Sequence, residues 1–165
     1  VNLIEALERV IHILQGEFHA DLQWQRDYDP SLPEVQGSKD QLIQAILNIA
    51  RNACQALQQT ERARIVFKTR VVRQFTIGSV RHKQIMHLSI TDNGPGIPED
   101  LIDRVFFPMI SGRSEGSGLG LSISQNIVGQ HGGTLQVASR PGNTTFSVYL
   151  PFSGLNQLSE SREII

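Results

Sequence analysis

Between Gln41 and Gln58 the apolar residues Leu42, Ile46, Ile49, Ala53 and Leu57 recur at helical spacing and fall within a narrow arc of the wheel. Ser38 can cap this run, and Asp40 sits in its first turn. A helix of about five turns with one apolar stripe must pack against something large. The rest of the chain supplies that surface as strands. Arg64 to Arg73 alternates Ile65, Phe67, Thr69 and Val71, and Ile85 to Asp92 alternates Met86, Leu88 and Ile90. The polar, partly basic stretch 74–84 between them predicts an antiparallel pair with a long hairpin loop. TLQVAS and TTFSVYL, joined by the turn RPGN, predict a second hairpin.

Two further helices fit the pattern. Leu3, Leu7, Val10, Ile11 and Leu14 predict an amphipathic helix stopped near Gly16, and Ile123, Ile127 and Val128 give an apolar face to Leu119–His131, ended by Gly132 and Gly133. EFHADLQWQRDYD alternates Phe18, Ala20, Leu22 and Trp24 and predicts a strand with one buried face before Pro30 and Pro33. A short helical pattern surrounds Leu101, Ile102 and Val105. About five strands and three principal helices make an α+β chain, a two-layer α/β sandwich whose mixed sheet leaves one face comparatively open to water. Residues 1–152 form one domain in this reading, and the Ser-, Glu- and Gln-rich residues 153–165 form a disordered tail.

The bulk chemistry excludes several roles. Fifteen basic and sixteen acidic residues leave a net charge of -1 over 165 residues, so no overall charge favours nucleic acid or an anionic membrane. No apolar run is long enough to cross a bilayer, and no basic segment leads into a short hydrophobic one at the start. The one cysteine, Cys54, lies inside the helical pattern as a small buried side chain and suits a reducing, cytoplasmic setting. The start at Val1 without a methionine suggests a piece excised from a longer chain.

Three features carry chemistry. Asn48 and Asn52 lie one turn apart beside the apolar arc, in a helix interior that disfavours asparagine. Singly they read as polar surface residues; facing a cleft, a carbonyl oxygen there can complete a Mg²⁺ shell whose other ligands are phosphate and water. Asp92 ends a strand and is followed by Asn93, Gly94, Pro95 and Gly96: either a plain chain reversal, or a carboxylate placed for an exocyclic amine with backbone passing close to a flat ring. The stretch SGRSEGSGLGL has no P-loop lysine, and from Gly118 its GxGxxG spacing fails at Ile123. Even so, Ser117, Gly118, Leu119, Gly120 and Leu121 lead into a helix, where amides and the helix dipole favour an anion.

In order, NIARNA, DNGPGI, FFP and GSGLGL resemble the N, G1, F and G2 boxes of sensor histidine kinases, and the likeness extends up to Phe152. The resemblance implies the Bergerat, or GHKL, ATP-binding fold shared with gyrase, Hsp90 and MutL. It implies that Asn52 binds Mg²⁺ with Asn48 beside it near the phosphates, and that Asp92 meets the adenine amine in a pocket shaped by Gly94, Gly96 and Ile97. Residues from Phe107 to Ser117 correspond to a mobile ATP lid, anchored by Gly118 and Gly120. Many of these kinases carry a basic residue where this chain has Gln55; Arg113 is the candidate to replace it. Hydrolytic members carry a glutamate where this chain has Asn48, so no catalytic base is assigned.

None of His12, His19, His82, His87 and His131 has the context of a phosphoacceptor. The implied partners are therefore the dimerisation domain of a homodimeric parent, which supplies the acceptor histidine, and an NtrC-type response regulator. A signal protein of the PII type is a further expected partner, with direct nucleic-acid and membrane contacts excluded. A regulatory docking module and a free-standing ATPase of the gyrase, Hsp90 or MutL kind are the alternatives.

Overall fold

The long central helix is α2, Lys39–Ala56 in the computed structural model, which describes residues 1–18, 21–107 and 120–154. The Ser38 hydroxyl accepts from the Gln41 amide at 3.3 Å, the expected cap. Leu42, Ala45, Ile46, Ile49, Ala50 and Ala53 are buried along one stripe. Two helices flank it: α1, Leu3–Glu17, and α4, Gly120–Gln130. On the α4 side Ser124, fully buried, donates to the Ala45 carbonyl at 2.7 Å, so the two helices are joined by a polar pin inside an apolar seam. A single turn, α3, spans Glu99–Ile102.

Beneath the helices lies a five-stranded sheet in the order β1-β2-β3-β5-β4. Its strands are β1 Gln23–Asp27, β2 Arg64–Ile77, β3 Val80–Asp92, β4 Thr134–Arg140 and β5 Asn143–Pro151. β1 runs parallel to β2 and every other pairing is antiparallel, which makes the sheet mixed as expected. The parallel pair requires a crossover connection, and α2 is that crossover. Ile65, Phe67, Met86, Leu88, Ile90, Phe146, Val148 and Leu150 close the core against the helices.

Three expectations need correction. Residues 74–84 are not a long loop: both strands continue through them and reverse at Gly78 and Ser79, with Gly78 at φ +60°. Charges on alternate residues disguised the strand, because this ribbon extends beyond β5 and its outward side needs no apolar cover. Gln74, at φ +54°, breaks the alternation, and Phe75 stacks on Tyr149 at 4.2 Å. The second correction concerns β1, an exposed edge strand whose contribution to the core is Trp24, half-buried and stacked 6.3 Å from Phe67. The third is α1, which runs past Gly16 to Glu17; Phe18 is its cap residue, its amide bonded to Leu14 O at 2.8 Å, and Ala20 lies outside the described residues. At the other end Phe152 is buried and Ser153 bonds the Glu34 carbonyl, while 155–165 lie outside the described residues.

The side of the sheet away from the helices carries one costly group. His87 stacks on Tyr149 at 4.5 Å, and its buried Nε2 has no hydrogen-bond partner among the described residues. Burial, and secondarily the Lys68 charge, push its pKa below the ordinary 6.5. The neutral ring is thus preferred in the fold. As pH falls through 6.5 the unfolded chain takes the proton first, so this group's contribution is lost on acidification. Replacing the ring with an apolar one of similar shape, His87→Phe, is expected to add about 1 kcal/mol, or roughly 2–4 °C in Tm. It is also expected to flatten the loss of Tm between about pH 8 and pH 5, as thermal melts at both values will show.

Candidate functional site

One flank of α2 carries Asn48, Asn52 and Gln55, all half-buried. Asn48 Nδ2 donates to the Gly120 carbonyl at 3.4 Å, which sets this asparagine against the first residue of α4. Arg51 turns to the opposite side and pairs with Glu17 at 2.6 Å. It holds α1 to α2 and takes no part in the cleft.

Asp92 closes β3 and is 3% exposed. Its Oδ1 accepts from the Gly94 amide at 2.9 Å, an arrangement that turns the chain sharply after the strand. A Cβ on Gly94 would stand 2.9 Å from that carboxylate oxygen and 3.3 Å from the Ala56 carbonyl, so the absent side chain lets the loop lie against the end of α2. Gly96 has φ +91°, and a Cβ there would meet the Arg140 carbonyl at 3.0 Å. Glycine at these two positions follows from local geometry.

The loop is tied down on both sides. Asn93 accepts from the Arg64 amide at 2.7 Å and donates to the Arg62 carbonyl at 2.9 Å. Gly94 O accepts from Gly142 N at 2.8 Å, and Ile97 N donates to Ser139 Oγ at 2.8 Å. Cys54 lies below, its thiol pushed up to about 12 by burial first and by the Asp92 carboxylate second. That thiol stays protonated and unreactive.

The two clusters meet α2 at different levels. From Asn48, against α4, to Ala56, against Gly94, α2 advances eight residues, or about 12 Å. At one end stands a buried carboxylate, an acceptor for an amine N–H. At the other, Gly120 and Leu121 open α4, whose first amides and dipole favour an anion. Along this stretch α2 carries Asn52 and Gln55, and among the described residues there is no group of three His, Cys, Asp or Glu that could hold a metal. A divalent ion here would take most of its ligands from a bound phosphate, with asparagine completing the shell, which is the pattern suited to Mg²⁺. A separate cavity of about 700 Å³, lined by Gln36, His82 and His131 among others, includes none of these residues.

Asn48, Asn52 and Gln55 lie on one flank of α2, Asp92, Gly94, Gly96 and Ile97 lie at and after the end of β3, and Gly120 and Leu121 open α4. Phe107 ends the described stretch before it, 57% exposed. Arg113, Ser117, Gly118 and Leu119, with nearly all of the expected lid, lie outside the described residues. Asn93, Ser124, Ser139 and Thr144 were missed as supporting groups. Asn93 was legible in the Asp-Asn-Gly turn; the other three depend on pairings between distant segments.

A buried strand-end carboxylate, a helix entrance and a sheet beneath are the elements that the resemblance to GHKL ATP-binding domains implies. The chain belongs to the family described as histidine kinase-, DNA gyrase B- and HSP90-like ATPase, whose model matches residues 37–154. Within that family it resembles sensor kinases. It is 50% identical over 150 residues to the sensory histidine kinase/phosphatase NtrB of Vibrio alginolyticus, covering 91% of this chain and 43% of that protein. The chain therefore spans less than half the length of that relative. Among solved structures, the mycobacterial sensor histidine kinase MprB superposes with TM-score 0.74 at 27% identity, covering 94% of this chain and 99% of that one. Full-length ShkA in complex with AMPPNP shares the fold, with TM-score 0.72 at 23% identity over 94% of this chain and 31% of that one.

The glycine geometry gives a direct test. Gly96→Ala must place a Cβ at positive φ against backbone that cannot give way, and is expected to cost about 2 kcal/mol. A fall of roughly 4–8 °C in Tm by calorimetry would match.

Proposed function

We propose that this chain is the ATP-binding catalytic domain of an NtrB-type sensor kinase, holding Mg·ATP for transfer to a histidine on a dimerisation domain outside this chain. The observation that supports the reading is the placement of buried Asp92 near the C-terminal end of α2 and of the α4 entrance against its middle, at Asn48. Adenine docks at Asp92 through its amine. Ile97 borders the base, and the phosphates reach toward Gly120 and Leu121. Asn52 would help hold Mg²⁺, which would supply charge neutralisation at the phosphates. The bond from the γ-phosphorus to the bridging oxygen breaks, a bond to the acceptor imidazole nitrogen forms, and ADP leaves with the electron pair. Such transfer depends on alignment and charge neutralisation, so the domain needs no base of its own.

Asn48 decides against the free-standing ATPase. A carboxamide cannot take a proton from water at neutral pH, whereas a carboxylate can. Gln55 brings no charge to the phosphates, and Arg113 is the proposed cation. The acceptor histidine hands its phosphate to an aspartate of an NtrC-type response regulator, with PII-type control of the balance between kinase and phosphatase output.

Calorimetric titration of ATP with and without Mg²⁺ tests the assignment. Asp92→Asn, which replaces an acceptor with a group that also donates, is expected to weaken ATP at least about tenfold. Asn52→Ala is expected to remove most of the gain that Mg²⁺ confers on the wild-type chain. Unchanged affinity in both variants would falsify the placement of base and metal.

A further inference from the structure

Two side-chain bonds cross between α2 and α4 in opposite directions. Ser124 Oγ of α4 donates to the Ala45 carbonyl of α2 at 2.7 Å, and Asn48 Nδ2 of α2 donates to the Gly120 carbonyl of α4 at 3.4 Å. Both acceptors are backbone carbonyls, which cannot donate, so both directions are fixed. A serine inside a helix commonly bonds the carbonyl four residues before it, which for Ser124 is that of Gly120. Ser124 reaches across to Ala45 instead, and Asn48 takes the carbonyl at Gly120. The other buried residues of α4 are Ile127 and Val128. Apolar contact is non-directional and tolerates a small slide of one helix on another; a 2.7 Å hydrogen bond does not. Beyond the far end of α4 the His131 ring accepts from the Ser38 amide at 3.1 Å. With that end held, the motion left to α4 is a swing that displaces its entrance most.

We infer that Ser124 is a positioning residue for the phosphates: its bond to Ala45 fixes where the α4 entrance sits along α2, and with it the separation of the Gly120 and Leu121 amides from Asn52. This rests on the ATP reading above, and Ser124, fully buried, acts through α4 and touches no nucleotide. Gly120 stands four residues before Ser124, about 6 Å along the helix, so a shift at the bond reaches the entrance almost undiminished. The bond at Gly120 is a weaker stop, because it is long and is made by a side chain that the same reading places beside the phosphates. Removing the Ser124 hydroxyl strands no polar group, since the Ala45 carbonyl lies in the interior of α2 and keeps the helical bond from the amide four residues on. The fold survives the change while the entrance loses its directional stop. Asp92, at the end of β3, is untouched by it.

Dissociation constants for ATP with Mg²⁺ and for adenosine, read by NMR titration of the wild-type chain, Ser124→Ala and Ile127→Val, test this. The amides of Gly94 and Gly96 report on the base, and those of Gly120 and Leu121 on the phosphates. The preference for ATP over adenosine is expected to fall about tenfold in Ser124→Ala, the size of one weakened charge-assisted hydrogen bond. Adenosine affinity and the shifts at Gly94 and Gly96 should stay as in the wild type. Ile127→Val trims the apolar part of α4 and leaves the hydroxyl, so it should lower Tm and keep the wild-type preference. A Ser124→Ala chain with the wild-type preference, even if both affinities fall, reduces Ser124 to a stabilising contact and overturns this inference alone. So does an Ile127→Val chain whose preference falls in step with its Tm. A wild-type chain that binds neither compound, or holds adenosine as tightly as ATP, overturns the ATP reading and this inference with it.

Discussion

The structure depends on the burial of one face of α2. Leu42, Ala45, Ile46, Ile49, Ala50 and Ala53 are removed from water by α1, α4 and the sheet together, and no one of these neighbours could cover the stripe alone. Each large aliphatic side chain so buried contributes about 1.5–3 kcal/mol. That is enough to fix the helix's rotation about its own axis. Rotation then settles the chemistry, because Asn48 and Asn52 sit beside the stripe and are carried to the cleft by it, while Arg51 is carried away toward Glu17. Core packing and the proposed ligand contacts are thus two flanks of one element.

The two ends of the cleft are held differently. Around Asp92 the backbone from Asn93 to Ile97 is bonded to β2, to the β4–β5 turn and to Ser139, so this loop is held by the fold itself. At the α4 end the described contacts are fewer: Asn48 with Gly120, and Ser124 with Ala45 one turn further on. In the proposed function, an end built into the sheet would select the nucleotide and a helix entrance would handle its phosphates.

How much of this was legible in the sequence depended on the range of the interactions involved. The helix caps, the alternation in β2 and β3, and the glycines around Asp92 are decided by neighbours within a few residues, and the sequence displays them. Ser139 and Thr144 belong to a network that exists only once β3, β4 and β5 are in register, and a serine and a threonine flanking a turn give no local sign of it. The ribbon at 74–84 failed for the opposite reason. Its composition is that of a loop, because a two-stranded extension can be charged on its outer side, and its strand character shows in the spacing of Phe75, Ile77 and Val80. The edge strand β1 similarly lacks the buried face that its alternation suggested, since an edge has one neighbour and here buries one side chain well enough to matter.

The pairing of β3 with β5 has a kinetic side. Thr91 and Thr145 share a hydrogen bond at 2.9 Å although 54 positions separate them, and α3, α4 and β4 all lie in the intervening chain. Contacts of that separation close a large loop, and their entropy cost makes them slow to form. Asp92 and Thr144 face each other across this junction, one on each strand. No locally folded fragment can form this junction, so any ligand that binds there binds the native state alone, and its binding free energy adds to the stability of the whole domain.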